Sequence, residues 1–148
     1  MGVFRSEDGG KSWEIKVDGL PYTSIRRLRK VRDRLFCGTA IGVFYSEDNA
    51  ETWRKGDGIF PIEIVSIAGG PENGQVFAAD RTVGYLFESL DNGTSWNPID
   101  LGSEISRVSA LHLTQSGKLL AGTISEGIIL IIPNQIDPDF QPDNTGTF

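Results

Sequence analysis

The chain is short of the residues on which most site chemistry depends. Among 148 residues it holds one cysteine, Cys37, and one histidine, His112. A single cysteine excludes an intrachain disulfide and any cysteine-based metal site, and its place inside an apolar run marks it as a small core residue. Positive charge is scarce too. Against 20 Asp and Glu there are 14 Lys and Arg, a formal net charge of −6, which argues against general nucleic-acid binding. No apolar run is long enough to span a membrane, and no basic start, apolar stretch and small-residue cleavage site make a signal peptide. Localisation is left open. No Walker loop, dinucleotide fingerprint or metal-ligand cluster calls for a cofactor. Long stripes of 3.6-residue period are also missing, which excludes a helical repeat.

What the chain has is a hairpin signature returning three times. It reads Ser-Glu-Asp-Gly-Gly-Lys-Ser-Trp (Ser6 to Trp13), Ser-Glu-Asp-Asn-Ala-Glu-Thr-Trp (Ser46 to Trp53) and Ser-Leu-Asp-Asn-Gly-Thr-Ser-Trp (Ser89 to Trp96). Trp13 to Trp53 spans 40 residues and Trp53 to Trp96 spans 43, a period that suits one four-stranded propeller blade. Short apolar runs alternate with Gly, Asn and Asp clusters, the pattern of strands and tight turns. The expected fold class is all-β, built of four-stranded antiparallel propeller blades.

The motif has a mechanical reading. Ser and Asp two residues apart at a strand end can turn their side-chain oxygens onto nearby backbone N–H groups and so fix the loop. Gly10 and Gly93 accept positive φ at little cost, and Trp13, Trp53 and Trp96 open the returning strand with a large apolar anchor. In the second copy Ala50 replaces the glycine. Either Asn49 takes up the left-handed geometry or the loop carries strain of about 1 kcal/mol.

These residues resemble the Asp-box, or BNR repeat, of sialidases, the sortilin family, xyloglucan-active glycoside hydrolases and the photosystem II assembly factor. The resemblance covers three hairpins outright and, through the spacing of flanking strands, most of residues 1 to 132. It implies a propeller in which Ser6, Asp8, Gly10, Trp13, Ser46, Asp48, Trp53, Ser89, Asp91, Gly93 and Trp96 are fold-stabilising residues on the blade periphery. No chemistry passes with it to Asp8, Asp48 or Asp91.

Aligning the copies gives a blade plan over residues 1–132, with boundaries near 21, 61 and 102 and a loop or disordered tail over 133–148. Each inner strand carries apolar residues three apart: Ile25 and Leu28, Ile64 and Ile67, Val108 and Leu111. An extra residue between Gly84 and Ser89 reads as a bulge. The fourth copy decays, with Ile131 and Pro133 where its Ser and Asp should fall. About three and a half blades make an incomplete ring, since closure takes 4 to 8. The expected completion is the remainder of a longer propeller, with a homodimer as the alternative and pairing of the terminal strands into a very small ring as the third reading; the start in mid-strand at Gly2-Val-Phe-Arg-Ser favours the fragment.

One segment departs from the acidic average. Arg26, Arg27, Arg29, Lys30, Arg32 and Arg34 fall within nine residues, on an innermost strand and its following turn. Alternate side chains there would present guanidiniums to a carboxylate or phosphate of a ligand or partner. The competing reading is a solvated turn with side chains snorkelling about Ile25 and Leu28 and pairing with Glu47, Glu51 or Asp57. An enzyme would need two carboxylates across a cleft. Glu63, Asp80, Glu88 and Glu104 qualify by type alone, His112 reads as a packed or hydrogen-bonded residue rather than a base, and the Arg-Ile-Pro segment common in sialidases is absent. The function expected is therefore a non-catalytic binding or scaffold module, with a protein or glycan ligand on the channel face. The alternative is a fragment of a glycoside hydrolase whose catalytic residues lie mostly outside this chain.

Overall fold

Strand propensity decides the local structure: β-branched and aromatic runs such as Gly42–Ser46 and Val76–Asp80 are cut by turn residues every few positions. The computed structural model describes residues 2–21, 24–70, 74–99, 101 and 107–131; Glu104 and the 133–148 tail lie outside the described residues. Within them are thirteen strands and no helix.

The strands form four antiparallel sheets. The first pairs β1 (Phe4–Arg5) with β2 (Glu14–Ile15). The second runs β3 (Ile25–Val31), β4 (Arg34–Thr39), β5 (Gly42–Ser46), β6 (Arg54–Lys55), and the third β7 (Ile64–Gly69), β8 (Val76–Asp80), β9 (Leu86–Ser89), β10 (Asn97–Ile99). The fourth has β11 (Val108–Leu113), β12 (Leu119–Thr123) and β13 (Ile128–Ile131). Each sheet is a meander, and β3, β7 and β11 follow one another from sheet to sheet as innermost strands.

Three apolar clusters lie between sheets. Val3, Leu20, Cys37, Phe44 and Trp53 fill the gap between the first and second. Phe36, Val43, Ile64, Ile67, Phe87 and Trp96 join the second to the third, and Phe77, Leu86, Leu111, Leu119 and Ile131 the third to the fourth. The middle strands of the interior sheets, β4, β5, β8 and β9, therefore bury both faces, which is why β5 and β8 read as near-continuous apolar runs rather than alternating ones.

The bulges fall elsewhere than the sequence spacing indicates. The β8–β9 ladder runs from Val76↔Ser89 to Ala79↔Leu86 without a register shift. The added length sits in the connecting loop, held by Asp80, whose carboxylate accepts the N–H groups of Thr82 (2.6 Å), Val83 (2.9 Å) and Tyr85. Register shifts occur instead on all three innermost strands, between Ile25 and Arg27, Ile64 and Ser66, and Val108 and Ala110. A bulge adds one residue to the two-residue strand period. That is the physical reason the inner-strand apolar residues stand three apart.

Candidate functional site

The three hairpins share one hydrogen-bond plan. In the first, Ser6 Oγ donates to Asp8 Oδ1 (2.8 Å) and accepts the Gly10 N–H (2.7 Å). Asp8 Oδ1 also accepts the N–H groups of Lys11 and Ser12, both at 2.9 Å, while Oδ2 accepts the Ser12 hydroxyl at 2.7 Å. Ser46, Asp48, Ala50 and Thr52 repeat this, as do Ser89, Asp91, Gly93, Thr94 and Ser95. The hydroxyl and then the N–H of Ser12 lower the Asp8 pKa to about 2, and Thr52 does the same for Asp48. At Asp91 burial pulls upward, but the hydroxyl and N–H of Ser95 outweigh it and the value again falls to about 2. Such carboxylates stay ionised with their lone pairs engaged, so none is available as a general acid or base.

The tryptophans diverge where the hairpins agree. Trp53 and Trp96 are 3% and 2% exposed, whereas Trp13 is 63% exposed. Trp53 N–H donates to Asp18 O and Trp96 N–H to Asp57 O, both at 2.9 Å, so each returning strand is laced to the preceding sheet. The Trp53 indole adds a 3.2 Å bond to Lys16 O. Glycine is required at the crossing: a Cβ on Gly19 would lie 2.0 Å from Trp53 O, and one on Gly58 would lie 2.2 Å from Trp96 O. Sequence reasoning missed this lace. Its signal was present as Asp18-Gly19-Leu20 and Asp57-Gly58-Ile59, which recur shortly after successive tryptophans.

The basic segment is divided by the fold. Arg26 occupies the β3 bulge and ion-pairs with Glu63, the residue just before β7. Arg34 stacks over Tyr45 at 4.5 Å, pairs with Glu47, and donates to Asn92 O (2.7 Å) and Thr94 Oγ1 (2.9 Å), stapling the second sheet to the third hairpin. Arg32, at φ 55°, is an exposed turn residue. Register places Arg27 and Arg29 opposite Gly38 and Phe36, on the β3 face turned towards the third sheet; Leu28 and Lys30 take the other face. Arg27, Arg29 and Lys30 are exposed, and none has a carboxylate partner among the described residues. Leu28 is exposed as well, because the first sheet offers no inner strand to cover it.

The residues considered for catalysis do not converge. Asp80 is fully buried and spent on its own loop, Glu63 pairs with Arg26, and Glu88 accepts Gln75 Nε2 at 2.6 Å. His112 is exposed on β11 rather than packed, since its side chain falls on the face opposite the Leu111 cluster. Burial raises the Cys37 thiol to about 12, which keeps it protonated and inert. Among the described residues no group of His, Cys, Asp or Glu is placed to hold a metal ion.

Meandering sheets stacked face to face, with their innermost strands in succession, define an arc of β-propeller blades. Solved structures carry the same architecture. An ancestral GH74 enzyme matches with a TM-score of 0.74 at 23% identity over 87% of this chain and 20% of its own. YCF48 bound to D1 peptide matches with a TM-score of 0.62 at 18% identity over 88% of this chain and 43% of its own. The chain thus spans well under two thirds of either protein, and identities this low establish the fold alone. No protein-family model matches it, and no curated protein does either.

Proposed function

We propose that residues 1–132 form an Asp-box propeller segment, with blade boundaries near 21, 61 and 102, that serves as a non-catalytic binding module for a carboxylate-bearing protein segment. The observation that carries this is the pair Arg27 and Arg29. They stand two residues apart on one face of an innermost strand, about 7 Å from each other along the chain, exposed and without a carboxylate partner among the described residues. Arg5, Lys16, Arg26 and Arg34 are by contrast committed to structural ion pairs. Two free guanidiniums at that spacing suit the carboxylates of an extended peptide. YCF48, whose fold this chain shares, has been solved with a peptide bound. In this reading the hairpin residues Ser6, Asp8, Ser46, Asp48, Ser89 and Asp91 are fasteners. Lys30 contributes to the surrounding field from the opposite strand face, and Arg26 orients the strand.

A glycan partner and a glycoside hydrolase origin form the second reading, favoured by the likeness to a GH74 enzyme. The engagement of Glu63, Asp80 and Glu88 weighs against these residues as its catalytic pair. Titrating poly-glutamate into the chain tests the first reading: binding is expected, and Arg27→Glu with Arg29→Glu should abolish it. Binding that survives the reversal defeats the proposal. Turnover of β-glucans or sialosides that disappears on changing Glu63, Asp80 or Glu88 would replace it with the second.

A further inference from the structure

The contact between the first and second sheets leaves open a place that the next contact fills. On the third sheet Phe87 carries two further rings, Phe60 and Tyr85, which meet edge to face with centroids 5.3 Å apart and lie 5.6 Å and 6.2 Å from Phe87. The repeat gives each a counterpart. Phe44 and Phe87 hold equivalent ladder positions, opposite Cys37 and Ala78, so Gly42 stands where the third sheet has Tyr85. Pro21 follows Gly19 as Phe60 follows Gly58, the two glycines under the lace. Both added rings are therefore missing from the earlier contact. In their place is an open cleft of about 530 Å³ lined by Gly19, Leu20, Pro21, Ile41, Phe44 and Lys55, within the ~300–1,000 Å³ usual for ligand sites. Close packing is the rule between such sheets, which makes this gap the exception. It does not depend on where the chain begins. Its walls are the connection leaving the first sheet and the two outer strands of the second, and the positions that close it in the next contact are present here as Pro21 and Gly42. One further exchange accompanies the missing rings. Lys55, opposite Phe44, stands where the third sheet has Pro98 opposite Phe87; it is exposed and has no carboxylate partner among the described residues.

We propose that this cleft receives an aromatic side chain of a partner polypeptide, with the carboxylate of an adjoining Asp or Glu resting on Lys55. The third sheet supplies the pattern for the ring: an aromatic group tilted against Phe44, in the place that Phe60 takes against Phe87. The ammonium at the rim selects the acidic neighbour through a charge-assisted hydrogen bond. This site lies on the outer strands, apart from Arg27 and Arg29 on the innermost one, and stands without them.

Titrating the capped tetrapeptide glycine-phenylalanine-aspartate-glycine into the full chain, followed by amide and methyl NMR shifts, tests this. Shifts centred on Leu20, Ile41, Phe44 and Lys55 are expected. Alanine in place of the peptide phenylalanine should abolish them, and asparagine in place of its aspartate should weaken binding about tenfold, as should Lys55→Glu in the protein. Pro21→Phe restores the missing ring and should close the cleft to the peptide. Lys55 is exposed, so Lys55→Glu decides the matter should Pro21→Phe lose its strand signal by circular dichroism. No shift at the lining residues overturns the proposal, as does binding indifferent to the peptide phenylalanine or to Lys55→Glu. Shifts at the same residues that follow protein concentration with no peptide present would seat a second copy in the cleft and overturn it as well.

Discussion

Trp13 and Trp53 grow from the same eight-residue hairpin and finish in opposite surroundings. Around each, serine and aspartate tie the turn with bonds of matching length, and the aspartate pKa falls to about 2 in both. Only Trp53 has a neighbour to enter: Asp18 O takes its N–H, Lys16 O takes its indole, and Leu20 packs on its ring. The turn is therefore a local structure that forms wherever its sequence stands. The tryptophan belongs to the contact between blades and is stabilising only when a blade precedes it.

The widest separation between the two should appear on truncation. Trp53→Ala and Trp96→Ala each remove a buried indole and are expected to cost about 3–5 kcal/mol in denaturant unfolding. Trp13→Ala should stay within about 0.5 kcal/mol of the parent. Equal losses at Trp13 and Trp53 would erase the distinction between turn and contact.

Next in size is the glycine under the lace. Gly58→Ala sets a Cβ against Trp96 O at φ +83°, combining the left-handed penalty with a backbone clash, for a loss of about 3 kcal/mol. At Gly9 the φ is +73° but nothing lies within 4 Å of a Cβ. Gly9→Ala should therefore cost only the conformational part, about 1 kcal/mol. The comparison isolates the steric contribution of the preceding blade from the geometry of the turn.

How much of this was legible beforehand follows the same line between local and shared structure. Ser6, Asp8 and Gly10 announce their turn because every partner lies within six residues. The three-residue spacing of Ile64 and Ile67 was visible too, but its cause, a bulge at Val65, needs the register with β8 to be seen. Arg34 shows the limit. Its sequence neighbours mark it as part of a basic patch, yet its partners Tyr45, Glu47, Asn92 and Thr94 are 11 to 60 residues away. Long-range pairing chose between two readings that composition could not separate. His112 likewise alternates with Leu111 on β11, and it is exposed because its face of the fourth sheet meets no further sheet among the described residues.

Acid should loosen the hairpins in all three copies alike. Each aspartate moves from an ordinary 3.8 to about 2 on folding, so the ionised form is the one the native state holds. The stabilisation is complete above the unfolded value and is lost as pH falls from about 4 through about 2. A melting-temperature series should decline across that window, and replacing Asp91 by Asn should flatten the decline while lowering stability at neutral pH. A steeper fall for Asp91→Asn than for the parent would mean that these hairpins are not what titrates.

The smallest effect sharpens the comparison most, because it lies within the turn itself. Asn49 and Ala50 both adopt left-handed φ, 58° and 72°, where the first hairpin has Gly9 and Gly10 at 73° and 90°. Ala50 therefore carries the penalty of an L-residue in that region, about 1 kcal/mol. Its methyl, buried in the cluster with Trp53 and Leu20, recovers part of this. Ala50→Gly relieves the strain, forfeits the methyl and gives the unfolded chain more freedom, so the net gain should be no more than about 0.5 kcal/mol. The reverse change in the first copy, Gly10→Ala, has no cluster to fill and a Cβ that meets only the Trp13 ring edge at 3.8 Å. It should lose about 1 kcal/mol. A gain at Ala50→Gly well below the loss at Gly10→Ala, or a loss at both, would show that the second turn tolerates alanine because a blade stands behind it; a gain and a loss of equal size would return the whole preference to the backbone.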